Sequence, residues 1–207
     1  MSSLIINDAF KTIRKNASAE IKIKKSIFIA QAFPVISIEE VKEKILTVRK
    51  DYFDARHHPF AYRIGYDRNS FRFNDDGEPS GSSGKPILEA IDKFLLTNIL
   101  ITVTRYFGGI KLGTGGLRRA YYESALLTLN ENNMEERFIY DKIKLEFKYD
   151  YINNVINYLE KNKIKISDNN SEEIVKYICE VRLSMVDKLK EDLLIITNGS
   201  IKIFNIL

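Results

Sequence analysis

One cysteine, Cys179, occurs in 207 residues. No intrachain disulfide can form, and a reducing compartment is the natural home for such a chain. The two histidines, His57 and His58, have no second cysteine or third histidine near them, too few ligands for a zinc site. No apolar run approaches the roughly 20 residues of a membrane span, and the opening MSSLIINDAF lacks a basic stretch followed by an apolar one. A cytoplasmic protein with no membrane partner is expected. Internal repeats and low-complexity tracts are also missing. The net charge is only +4, too small by itself to argue for nucleic acid. What remains is ordinary globular composition, 44% hydrophobic and 29% charged, at a length that suits one large domain or two small ones.

The distribution of residues says more than their totals. From Asp141 onward 11 basic residues balance 11 acidic ones, so the surplus, 21 against 17, lies in the first 140. The chain has 21 lysines and 11 arginines, yet residues 56–119 hold seven of the arginines and three of the lysines. A guanidinium binds carboxylates and phosphates with two parallel hydrogen bonds, which lysine cannot do. Nine of the ten glycines fall between Gly65 and Gly116. Five of them, Gly108, Gly109, Gly113, Gly115 and Gly116, sit in RYFGGIKLGTGGLRRA (105–120) beside Arg105, Tyr106, Lys111, Arg118 and Arg119. Glycine at such density is tolerated where φ must be positive or where something approaches the backbone closely.

Hydrophobic spacing organises the chain as α+β. Residues 20–33 alternate and then turn apolar, giving two short strands or a bent one. Ser37 with Glu40 forms a capping box for a helix to about residue 53. Strands are expected at 57–65 and 70–74, then a loop over 75–86 and a helix with Pro86 in its first turn. A buried strand at 98–106 leads through the glycine loop into a helix from about Leu117 to Leu129. The polar seam NENNMEER (130–137) suits a boundary, dividing a domain of residues 1–137 from one of 138–207. Beyond it strands at 142–149, 163–167, 173–183 and 200–206 and helices at 151–161 and from about Val186 follow the ferredoxin-like order β-α-β-β-α-β.

A strand–glycine loop–helix passage is the geometry in which backbone N–H groups hold an anion. It is not a dinucleotide fingerprint, since Gly113-Thr114-Gly115 has no glycine at 118. GEPSGSSGKP is not a P-loop either, with Pro79 at its first glycine position and Pro86 where Ser or Thr would hold magnesium. Arg118 and Arg119 would fall in the first helical turn, against the macrodipole, which a bound phosphate or carboxylate would offset. Alternatively they pair with Asp75, Asp76 or Glu78 of the acidic loop. Those three offer oxygen ligands to a hard cation but lack the spacing of a calcium loop, so no metal or other cofactor is expected. His57 and His58 would face opposite sides of a strand, one packed, either available as acid or base. Ser80, Ser82 and Ser83 are nucleophiles in name only, because glycine-rich loops use serine for local hydrogen bonds. Thr102, Thr104 and Tyr106, with Phe71, Arg72 and Phe73, offer hydroxyl and aromatic groups suited to RNA or a peptide, or simply the second face of a sheet.

AYRIG (61–65), NDDGEPSGSSGKPI (74–87) and VTRYFGGIKLGTGGLRRAY (103–121), in this order and spacing, resemble the IMPACT family in its bacterial, YigZ-like, two-domain form. The resemblance implies an amino-terminal domain similar to the second domain of small-subunit ribosomal protein 5, and a carboxy-terminal domain similar to the last domain of elongation factor G. Eukaryotic relatives act by binding a ribosome-associated activator of the amino-acid-starvation kinase and so modulate translation initiation. Pro59 stands where many relatives carry Cys, which removes thiol chemistry there. The expected function is a non-catalytic protein linked to regulation of translation that binds RNA, the ribosome or a small anionic ligand. Its site would comprise Arg63, Lys85, Arg105, Tyr106, Gly108, Gly109, Lys111, Gly113, Gly115, Gly116, Arg118 and Arg119. The alternative is an enzyme acting on a small phosphorylated or carboxylated substrate at the same loop.

Overall fold

The computed structural model describes residues 8–130 and 134–206. The chain divides into two compact units, Phe10–Arg137 and Met1–Ala9 together with Phe138–Leu207. In the larger unit, strands β2 (Ala17–Ile23), β3 (Ser26–Pro34), β4 (Phe60–Ile64), β5 (Ser70–Asn74) and β6 (Ile99–Tyr106) form one antiparallel sheet in the order β2-β3-β6-β4-β5. Residues 20–33 are thus a hairpin. Its two-residue turn uses Lys24 and Lys25, both at positive φ, where glycine or asparagine would have announced it.

Helices cover both faces of this sheet. Helices α2 (Gly84–Lys93) and α3 (Gly113–Asn130) bury Ile87, Ile91, Leu117 and Tyr121 against Phe28, Ala30, Ile101 and Val103. On the other face α1 (Ile38–Asp51) buries Val41 and Val48 against Phe33, Tyr62 and Leu100. The capping box of α1 is present: Ser37 Oγ accepts from Glu40 N at 3.2 Å, and Glu40 Oε2 accepts from Ile36 N at 2.8 Å.

Two helices begin earlier than their spacing suggests. Helix α2 starts at Gly84, with Pro86 third in the first turn. Helix α3 starts at Gly113, four residues ahead of the expected Leu117, because three glycines with poor helix propensity occupy its first turn. Arg118 and Arg119 are therefore sixth and seventh, beyond the turn in which the macrodipole acts, and the dipole conflict expected for them does not arise.

Strands β1 (Ala9–Ile13) and β7 (Met134–Phe138) pair separately, β7 lying within the polar seam, of which residues 131–133 fall outside the described residues. In the smaller unit β8 (Tyr140–Phe147), α4 (Ile152–Lys161), β9 (Lys165–Asn169), β10 (Val175–Arg182), α5 (Val186–Ile196) and β11 (Lys202–Ile206) follow the expected β-α-β-β-α-β order. Its antiparallel sheet runs β11-β8-β10-β9. Ile143, Leu145, Cys179 and Val181 meet Val155, Leu159, Leu189 and Leu193 in its core. Asp8 accepts from Arg182, Ser184 N and Ser184 Oγ, and these bonds, the Arg182 one foremost, hold its carboxyl far below the usual range. The α+β class holds for both units. Among the described residues no helix is long and apolar enough to cross a membrane.

Candidate functional site

The carboxy-terminal end of β6 brings Arg105 level with Phe28 on one neighbouring strand and with His57 just ahead of β4. Arg105 Nη1 donates to Glu78 Oε1 at 2.6 Å, and Tyr121 Oη donates to the same oxygen at 2.7 Å. The Arg105 and Glu78 side chains are 8% and 4% exposed, so this is a buried ion pair, viable only because further hydrogen bonds support it. Burial first, and the Glu78 charge second, raise the Tyr121 hydroxyl far above its ordinary range, so it stays a donor. The Arg105 guanidinium lies 5.5 Å from the Phe28 ring centre and 5.6 Å from that of Phe107, and its buried Nε has no hydrogen-bond partner.

In front of this network opens a cleft of about 690 Å³. It is lined by Asp54, Ala55, Arg56 and His57, ahead of β4, and by Lys111, Leu112 and the start of α3, Gly113, Thr114 and Leu117. Glu78, Pro79, Arg105, Tyr106 and Phe107 complete the lining. Its carboxylates are already engaged. Asp54 accepts from Tyr106 Oη at 2.7 Å, a bond that, with burial, pushes the Tyr106 hydroxyl up to about 12. Glu78 holds Arg105. Arg56 and Lys111 are exposed, and no ion-pair partner for either is found among the described residues. His57 pairs its Nδ1 with the Asp76 carbonyl at 2.8 Å; a carbonyl can only accept, so Nδ1 carries the hydrogen and Nε2 is left as the free ring nitrogen.

The acidic loop is spent on the fold. Asp75 accepts from Gly81 N, Ser83 N, Ser83 Oγ and Gly84 N at 2.8–3.0 Å and so caps α2 from outside the helix. Its burial raises the carboxyl pKa, and these bonds together outweigh that and bring it below the ordinary value. Asp76 pairs with Arg49 and accepts from His58 N at 2.7 Å. Arg118 donates to both carboxylate oxygens of Glu89 at 2.9 Å and to Gly81 O, so the expected alternative, Arg118 and Arg119 on the acidic loop, is not what forms. Among the described residues no group of three or more His, Cys, Asp or Glu could hold a metal.

The expected site residues therefore separate. Arg105, Tyr106, Lys111 and Gly113 line the cleft. Helical periodicity turns Gly115 and Arg119 away from Thr114 and Leu117, while Arg118, one turn beyond Thr114, is drawn to Glu89 and Gly81 and does not line the cleft. Gly108 serves the fold: a Cβ there would lie 2.0 Å from the Lys25 carbonyl carbon. Gly109 and Gly113 have positive φ, whereas Gly115 has ordinary helical φ and open space where its Cβ would be. Gly116 has Leu112 beside it, at 3.1 Å from where its Cβ would be. Lys85 is exposed on α2 and does not line the cleft. Arg63, taken from sequence as an anion ligand, is corrected: it faces Ile99 at the far end of β6, donates to both Asp92 oxygens and Arg68 O, and lies over Phe71. Asp54, Arg56, Phe107 and Tyr121 had not been singled out. Arg56 was one of the seven clustered arginines, and Tyr121 closes the RRAY stretch, but only folding shows which charges end unpaired.

A family model described as the Impact N-terminal domain matches residues 24–129. IMPACT family member YvyE of Bacillus subtilis is 34% identical over 92% of this chain and 88% of its own length. IMPACT family member YigZ of Escherichia coli is 43% identical over 48% of this chain and 50% of its own. A crystal structure titled as that of a hypothetical protein superposes with a TM-score of 0.70 at 27% identity, covering 98% of this chain and 99% of the other.

Proposed function

The chain belongs to the IMPACT family, and from that premise we propose that it is a cytosolic, non-catalytic binding protein linked to regulation of translation, engaging a phosphate group of RNA or the ribosome at the Arg105 cleft. The observation that carries this reading is the charge balance of the lining. Glu78 is neutralised by Arg105, and Asp54, which keeps its charge while accepting from Tyr106, is outnumbered by Arg56 and Lys111. The lining therefore carries a surplus positive charge and shares the start of α3, whose first N–H groups no side chain caps among the described residues. The likeness of part of this chain to eukaryotic IMPACT proteins supports the link to translation, and the topology of the smaller unit supports the reading of it as similar to the last domain of elongation factor G. Likeness of the larger unit to the second domain of ribosomal protein 5 belongs to the same reading.

The test is a salt series of binding to ribosomes or RNA. Replacing Arg56 and Lys111 with alanine is expected to lower the slope of log K against log salt by about 2, since each cation displaces about one counterion. Equal slopes in wild type and variant, with the fold intact, would sink the proposal. His57 supports a second reading, an enzyme acting on a small phosphorylated or carboxylated substrate. His57 lines the cleft, and its bond to the Asp76 carbonyl fixes the tautomer that leaves Nε2 as the acceptor nitrogen. That reading requires turnover that disappears in His57→Gln while binding persists.

A further inference from the structure

We propose that the group taken up by the cleft is a terminal phosphate monoester joined to a flat ring, as in a nucleoside 5′-monophosphate, either free or at the end of an RNA strand; this rests on the phosphate-binding reading above. Three features favour such an end over the middle of a strand. The first is depth. Arg105 and Leu117, each less than one-tenth exposed, close the inner end of a cleft whose volume, about 690 Å³, is that of a small-molecule site rather than a groove tracking a backbone. The second is charge. A monoester carries about −1.5 to −2 at pH 7, against one negative charge on an internal diester. Arg56 and Lys111 supply two cations against the one lining carboxylate, Asp54, that no cation holds, and the amino-terminal end of α3 adds a partial positive charge to the same lining.

The third is the unpartnered nitrogen. Arg105 is nine-tenths buried in the cleft wall, yet its Nε makes no hydrogen bond, although its Nη1 is fixed by Glu78. Leaving such a donor unmatched is costly; it is closed to solvent in this structure, so a ligand oxygen satisfies it on a turn of the guanidinium toward the cleft. Beside it the Phe107 ring is 59% exposed, and with Leu112 and Pro79 it offers an apolar seat on which a base can stack.

Adenosine 5′-monophosphate, adenosine, inorganic phosphate, and one short RNA with either a 5′-phosphate or a 5′-hydroxyl are titrated calorimetrically into the full-length protein. The phosphorylated RNA is expected to bind at least about tenfold more tightly than its hydroxyl twin, and the monophosphate likewise against adenosine. Arg56→Ala with Lys111→Ala should erase that difference without moving the thermal midpoint. Phe107→Ala should weaken the monophosphate and leave inorganic phosphate unchanged. Tight monophosphate with equal, weak binding of both RNAs would support the inference and make the free nucleotide the source. Equal affinity for the two RNAs and for the nucleotide and nucleoside would overturn the inference, while a salt slope sensitive to Arg56 and Lys111 would leave the broader reading standing. Absence of binding by every probe, together with an insensitive salt slope, would overturn both.

Discussion

Gly108 and Gly115 lie seven residues apart in the same signature stretch and do opposite things. At Gly108 any side chain would enter the backbone of the Lys24-Lys25 turn, its Cβ about 2.0 Å from a carbonyl carbon, and Gly108 N donates to Ser26 Oγ at 3.2 Å. Gly108→Ala is expected to cost several kcal/mol or to prevent folding, because backbone cannot step aside as a flexible side chain can. At Gly115 neither backbone angle nor space demands glycine, so Gly115→Ala should raise stability by about 0.5–1 kcal/mol, as glycine-to-alanine changes do inside helices. Chemical denaturation of both variants checks the pair; a destabilised Gly115→Ala would contradict the assignment of α3 from Gly113. The cluster was legible from composition, but the division of labour within it was not. Which glycine meets backbone and which meets solvent is decided by β3, some 80 positions upstream in the chain.

Asp75 illustrates the same limit for whole elements. Helix α2 has Ser83 at its cap position, yet Ser83 makes no capping bond of its own; the acceptor is a carboxylate at the end of β5 that reaches three residues around the first turn. Asp75→Ala should therefore destabilise the larger unit by about 2 kcal/mol, the loss of a cap plus unpaired N–H groups. The pH dependence has a definite sign. The carboxyl ionises more readily folded than unfolded, so its contribution is complete above the unfolded value of about 3.9 and drains away as pH falls below it. Unfolding midpoints of wild type and Asp75→Ala, compared at pH 7 and pH 3, should converge at the lower pH. Sequence spacing located β5, α2 and the loop between them, because period and breaker residues are local. It leaves the acidic loop open as an alternative partner for Arg118 and Arg119, because nothing local distinguishes a carboxylate that caps a helix from one that faces a cation. The start of α3 was missed for a related reason: three glycines look like loop until the packing of Leu117, Tyr121 and Leu129 extends the helix through them.

At the scale of the molecule, each unit encloses its own core, and the family match at residues 24–129 falls wholly within one of them. A fragment spanning residues 10–137 is expected to fold with a single cooperative transition and to retain the cleft, since every lining residue belongs to it. Circular dichroism and the nucleotide titration on that fragment are the measurements; a molten fragment would mean that the division is geometric only. The order of strands and helices in the smaller unit was legible end to end, because its alternation is clean on β8 and its helices carry regular apolar stripes.

The only cysteine of the chain is in that smaller unit. Cys179 is fully buried on β10, and burial pushes its thiol up to about 12, far from the thiolate that reacts. The protein thus carries a clock for one half of itself. Modification by a disulfide reagent at neutral pH should proceed only as fast as the β8–β10 core opens, and it should be silent to events in the glycine-rich half. Run alongside amide exchange of the whole chain, that single thiol would time the opening of one unit and reveal whether the other waits for it or opens on its own schedule.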